Sequence, residues 1–313
     1  MMQADSFWLV APGTGEIRSE TLAPPTHDER MVTTLASGIS RGTEALVSAG
    51  RVPPSQYQAM RAPLMAGQFP FPVKYGYSAV GVCHGQRVFV LHPHQTRFVA
   101  PAAMCIPVPD AVPTHRAVLA ANMETALNVL WDAAPLAGER MLVIGAGVVG
   151  LLVAALLARI PATCVTVADI NPARRDIATA LGARFCAPED APNEQDLVIH
   201  ASGSEAGLCC ALACAADEAR IIEASWFGDR TPSLPLGEAF HHRRLRLIAS
   251  QVGRIAPAMR GRRSHADRLG LALSLLTDPL FDRLLEPPTA FADLPHAMPR
   301  LLAGGLCHVV TYP

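Results

Sequence analysis

An α/β fold is predicted, with a doubly wound parallel sheet in the middle of the chain and a smaller, partly open β-barrel built from its two ends. Three observations predict it. Apolar strand-like runs alternate with helical runs between residues 140 and 250, a glycine-punctuated strand-turn-helix junction lies at 140–157, and short β-like runs separated by proline and glycine fill the first 110 residues.

The junction reads RMLVIGAGVVG at 140–150. Residues 142–144 are apolar without alternation, as in a strand buried on both faces, and 148–159 read as a helix packed on that sheet. Gly145 then permits the tight turn, Gly147 lets a pyrophosphate approach the backbone, and Gly150 lets helix and strand pack closely. The phosphates of a dinucleotide would sit on the helix N-terminus, at Val148 and Val149. A second strand at 165–167 runs into Asp169, at the spacing of about 20 residues where an acidic residue holds the ribose hydroxyls of NAD. That carboxylate would repel a 2′-phosphate. Arg174 and Arg175 are the neighbours able to bind one, so NAD is expected in preference to NADP.

The remaining elements follow in order. Strands are expected at 7–10, 31–36, 78–82, 87–91 and 98–100, and helix over 114–134. After the junction come helix 172–181, strand 183–186, strand 196–201, helix 205–216, strand 220–225 and strand 245–250. Helices at 267–276 and 294–302 precede a last strand at 307–312, which is surplus to the parallel sheet and is expected to return to the first domain. The predicted domains are 1–122 with 252–313, and 123–251.

A chain of 313 residues exceeds the usual single-domain size, and a net charge of −1 with 17% charged residues disfavours nucleic acid or disorder as its business. The expected partner is a small-molecule substrate. No basic segment precedes an apolar core at the N-terminus, and the most apolar window, 141–157, is short and interrupted by glycine; a cytoplasmic protein without membrane contact is expected. The eight cysteines form no Cys-x-x-Cys pair, so reduced thiols are expected, with Cys209, Cys210 and Cys214 in an alanine-rich helix.

The whole chain resembles the medium-chain dehydrogenase/reductase superfamily, the zinc alcohol dehydrogenases and their relatives. The resemblance is carried by SGISRGTE at 37–44, PVKYGYSAVG at 72–81, METAL at 123–127 and the glycine junction. It implies a GroES-like barrel as catalytic domain, a Rossmann domain inserted after it, and a homodimer. In the zinc enzymes the corresponding positions carry metal ligands, implying a cysteine at Ser40, a histidine at Tyr77 with an acidic neighbour at Ser78, and a cysteine or glutamate near Ala121; all are replaced. The lobe that binds structural zinc is also missing. His92 and His94 form the one remaining metal-like pair and are expected to be polar loop residues. The chain therefore resembles a zinc-free branch, with no metal. Its SGISRGTE run is similar to bacteriochlorophyllide dehydrogenases, which oxidise a hydroxyethyl side chain on a tetrapyrrole with NAD.

Without a metal, another group must stabilise the oxygen of a ketone that accepts hydride. The resemblance places Tyr77 and Ser40 at the vacated position, with Thr43 nearby. Lys74 is the only lysine beside 25 arginines and lies three residues before Tyr77, where a cation would lower the phenol pKa; the alternative is that it points to solvent from a strand edge. Glu124 is an unexpected charge beside Thr125, which the resemblance places against the nicotinamide; an ion pair with an arginine is the alternative. Ser202, Ser225 and Gln251 each follow a strand-like run and are expected at the nicotinamide end of the sheet. Trp226 is read as stacking on substrate or filling core, and the arginines of 241–246 and 254–268 as a solvated face. The expected reaction interconverts a secondary alcohol and a ketone on a bulky or cyclic substrate. Reduction of a carbon-carbon double bond with NADPH, and silent NAD binding, are the rival readings.

Overall fold

The computed structural model describes residues 2–313, which form two compact units. One is the chain up to Ala121 together with Leu269–Pro313, and the other is Asn122–Arg268.

The second unit is the doubly wound one. Its strands are β1 (Arg140–Ile144), β2 (Cys164–Ala168), β3 (Arg184–Cys186), β4 (Gln195–His200), β5 (Ala215–Glu223) and β6 (Arg246–Ala249). All pair in parallel in the order β3-β2-β1-β4-β5-β6, so the order reverses beside β1. The helices between them are α1 (Val148–Leu157), α2 (Arg175–Ala180) and α3 (Glu205–Cys214). Met141–Ile144 are all buried because β1 is central and covered on both faces. α1 is apolar all round and buried from Gly150 to Leu157, which accounts for the most hydrophobic window of the sequence. No helix among the described residues is long and apolar enough to cross a membrane.

The first unit is mostly antiparallel. Met2–Ala11 and Thr14–Leu22 form a hairpin extended by Val73–Lys74 and Ala66–Gly67. A seven-stranded sheet is built around Glu29–Ile39, which pairs with Ala79–Cys83, Arg97–Pro101 and Cys307–Thr311. The final strand thus returns to the barrel-like unit, as its surplus in the parallel count requires. Arg116 holds the two segments of this unit together: its guanidinium grips both oxygens of Asp282, at 2.7 and 2.6 Å, and donates to the carbonyls of Leu276 and Thr277.

Several elements differ from expectation. The strand Thr14–Leu22 is not predicted because its outward face is largely polar and leaves no apolar alternation. Leu285–Ala290 is likewise unforeseen: it contains Pro287 and Pro288, which an edge strand with a register shift tolerates. The helix expected over 114–134 is broken into Thr114–Ala117 and Ala120–Ala133. β5 begins at Ala215, where a helix end is predicted, and a register shift follows between its pairing at Ala215 and at Arg220.

Residues 252–268, assigned by sequence to the first domain, pack in the second unit. The physical tie is Arg268, 1% exposed, whose guanidinium donates to Glu124 Oε1 at 3.1 Å, to Asn128 and to the carbonyl of Val252. Replacing Arg268 by Met would leave the Glu124 carboxylate buried and unpaired. It is expected to lower unfolding stability by about 3–5 kcal/mol in urea titration, and the double variant Arg268→Met, Glu124→Gln should recover part of that loss.

Candidate functional site

In the second unit the glycine junction has the geometry its spacing predicts. Gly145 has φ +107°, and a Cβ there would lie 2.7 Å from the Ser202 nitrogen. A Cβ on Gly150 would lie 1.9 Å from the Gly145 carbonyl oxygen, so only glycine lets α1 approach β1 this closely. Gly147 is the contrast: a Cβ there meets nothing within 4 Å. The open side of Gly147 faces no protein, and the first amides of α1 follow without a side-chain cap, with Val148 and Val149 half-buried beside them. A backbone cradle of this kind fits a pyrophosphate.

Asp169 follows β2, and its carboxylate spans the crevice edge. Oδ2 accepts from the Ala146 amide at 2.6 Å and Oδ1 from the Asn171 amide at 2.8 Å. The acidic residue and the glycine loop are therefore one structure. Ile170, next in the chain, is 88% exposed, an unusual setting for a large apolar side chain. Ser202 and Ser225 lie just beyond β4 and β5, and Ser225 Oγ accepts from the Gly203 amide at 3.0 Å. Gln251 is exposed beyond β6, while Thr125 is half-buried on Ala120–Ala133. Glu124 sits on the same helix but is turned inward to Arg268; burial raises its pKa, and Arg268 opposes the rise. Its role is thus the ion pair. Trp226 is half-buried.

The first unit gathers the other candidates. The Tyr77 phenol hydrogen-bonds with the side chains of Ser40 and Thr43. Burial, reinforced by the Glu44 carboxylate, pushes the phenol up to about 12, against the pull of those two hydroxyls. Tyr77 is consequently a protonated phenol at neutral pH. Glu44, 4% exposed, accepts from the Ser40 amide at 2.7 Å through Oε1 and meets His94 Nε2 at 3.1 Å through Oε2. His94 Nδ1 in turn lies 2.7 Å from Ser37 Oγ, which lies 2.8 Å from the Tyr312 hydroxyl. A carboxylate only accepts, so Nε2 carries the imidazole proton, Ser37 donates to Nδ1 and Tyr312 donates to Ser37. A void of about 10 Å³, bordered by Glu44, Tyr75 and His94, adjoins this chain. Cys307 is also close enough for the Glu44 charge, together with burial, to raise its thiol to about 12.

Lys74 stands apart from this cluster. It is neither solvent-facing nor a partner of Tyr77: its buried ammonium donates to Glu20 Oε1 at 2.9 Å and Gln95 Oε1 at 2.8 Å. His92 and His94 lie in the loop between Gln86–Val90 and Arg97–Pro101, as expected, but both are buried. His92 stacks on Phe98 at 3.7 Å, and burial drives its pKa down to about 3.

A zinc ion does not fit these residues. The donors at the relevant positions are the hydroxyls of Ser40 and Tyr77, Ser78 is spent on the Val118 carbonyl, and Ala121 offers none. No group of three His, Cys, Asp or Glu among the described residues could hold a metal. Sequence reasoning gave no role to Ser37 and Glu44, the two ends of the SGISRGTE run, read His94 as a polar loop residue and missed Tyr312, which lies 275 positions from Ser37.

No family model and no curated protein matches the chain. Solved structures do. A short-chain alcohol dehydrogenase from Escherichia coli CFT073 complexed with NADH superposes with a TM-score of 0.80 at 18% identity, over 99% of this chain and 100% of that one. L-idonate 5-dehydrogenase from Escherichia coli K-12 gives 0.82 at 14% identity, covering 99% and 98%. Acetophenone reductase from Geotrichum candidum in complex with NAD gives 0.78 at 16%, covering 99% and 97%. The chain shares the fold of these dehydrogenases and this reductase.

The glycine geometry separates two effects. Gly147→Ala, at φ −75° with open space around it, should keep the thermal unfolding midpoint of the parent while NADH affinity, read by fluorescence titration, falls at least about tenfold. Gly150→Ala must displace α1 and should cost about 1–3 kcal/mol of stability as well.

Proposed function

We propose that the protein is a zinc-independent, NAD(H)-dependent oxidoreductase that interconverts a secondary alcohol and a ketone on a bulky, cyclic substrate. The observation that carries the reading is the Tyr77 phenol, held by Ser40 and Thr43 where the resembling zinc enzymes place their metal. The open cradle at Gly147, joined to Asp169, supports a dinucleotide. Exposed Ile170 supplies an apolar face of the kind an adenine ring covers, directly after the acidic residue. The alcohol dehydrogenase and ketone reductase named among the similar structures, bound to NADH and NAD, agree with this chemistry.

NAD, when bound, supplies the hydride acceptor for alcohol oxidation and the donor for ketone reduction. The protein's own task is the proton. In reduction the Tyr77 hydroxyl donates to the carbonyl oxygen as it gains negative charge, and in oxidation the same oxygen takes the alcohol proton back. The Ser40 and Thr43 hydroxyls stabilise the phenolate that remains. A phenol raised to about 12 is a hydrogen-bond donor throughout the neutral range and a costly anion, which favours reduction over oxidation near neutral pH.

Two measurements test the proposal. Tyr77→Phe should lower kcat by about 10²–10⁴ while leaving the NADH dissociation constant unchanged, and an unaltered rate on an identified ketone would remove Tyr77 from the chemistry. Asp169→Ala should narrow the gap between NADH and NADPH affinity; tighter binding of NADPH than NADH by the unaltered chain would instead support the carbon-carbon double-bond reductase reading.

A further inference from the structure

His200 is the last residue of β4, where it pairs with Ile144 of β1 on one side and Glu223 of β5 on the other. Its imidazole is fully buried, yet both ring nitrogens are engaged. Nδ1 lies 2.7 Å from Glu223 Oε2, and Nε2 lies 2.7 Å from Ser202 Oγ. Phe227 stacks on the ring at 6.0 Å. A carboxylate oxygen only accepts, so Nδ1 donates to Glu223, and with the ring proton placed there Nε2 accepts from the Ser202 hydroxyl.

The rest of the surroundings makes room for this chain and extends it. A Cβ on Gly207, in the first turn of α3, would lie 2.3 Å from Ser202 Oγ and 2.9 Å from His200 Nε2, so the helix carries no side chain where the two groups meet. The second oxygen of Glu223 accepts the Ser225 amide at 2.7 Å, and Ser225 Oγ accepts the Gly203 amide. One carboxylate thereby ties the loop after β4 to the loop after β5. The Ser202 backbone, in turn, packs against Gly145 at a distance that excludes a Cβ.

We infer that His200 and Glu223 are positioning residues of the dinucleotide site, holding Ser202 with its proton directed inward so that its oxygen accepts a hydrogen bond from a hydroxyl or amide N–H of the cofactor. The inference rests on the dinucleotide reading of the glycine loop. It assigns Ser202 a direction: a group that accepts suits a ribose hydroxyl or carboxamide and disfavours a phosphate oxygen. Ser204 fills the acceptor places of Ser202 Oγ with its hydroxyl at 2.8 Å and its amide at 3.3 Å, and the hydroxyl is the one that yields to the cofactor.

Two amide variants separate the halves of the chain. His200→Gln places an amide near the Nε2 position and can keep the Ser202 contact, whereas His200→Asn reaches only the Nδ1 position and keeps Glu223 alone. NADH titration of the full-length protein should therefore show near-parental affinity for His200→Gln and about tenfold weaker binding for His200→Asn, the effect of one lost hydrogen bond. A purely structural histidine would not distinguish the two. Ser202→Ala, which removes the hydroxyl itself, should match the affinity loss of His200→Asn when titrated below its own measured unfolding midpoint, and so reports even if the histidine variants fold poorly. Affinity within twofold of the parent for Ser202→Ala, or for both histidine variants, overturns the inference alone. Absence of NADH binding by the parent overturns it together with the dinucleotide reading.

Discussion

The second unit depends on the crowding at the end of its central strand, where three backbones meet at Gly145. The α1 backbone at Gly150 passes against the Gly145 carbonyl, and the β4 loop at Ser202 passes against its Cα. Neither approach leaves room for a side chain. Because both neighbours are fixed by this contact, the amides of α1, the carboxylate of Asp169 and the hydroxyl of Ser202 converge at the point where the strand order reverses. Packing and the placing of these polar groups have the same cause.

The first unit depends instead on an electrostatic constraint. Glu44 is a buried carboxylate, and burial of an unpaired charge is expensive. It is compensated by the Ser40 amide and by His94, which is compensated by Ser37 and Tyr312. Each donor has one acceptor, so the chain has a single direction. Burial, reinforced by this negative end, raises the phenol of Tyr77 and the thiol of Cys307, which keeps protons on both.

Legibility followed the range of the forces involved. The alternation of strands and helices in the parallel sheet and the steric need for glycine at 145 and 150 were readable because they arise within short stretches of chain. Strands were missed where one face is polar, as at Thr14–Leu22, or where proline disguises an edge, as at Leu285–Ala290. Lys74 shows the opposite failure. Its rarity drew attention to Tyr77, three residues away, but the strand ends at Lys74, which pairs into the hairpin sheet and meets Glu20 there instead.

The sequence by itself determined the α/β class and the glycine cradle, because each is a property of residue identity at fixed local spacing. Tertiary structure decided which polar groups meet: Glu44 with His94 across 50 positions, His200 with Glu223 across 23, and Glu124 with Arg268 across 144. The physical reason is burial. A charged or polar side chain removed from water must find a partner wherever the fold brings one, and only the packed chain determines which residue that is.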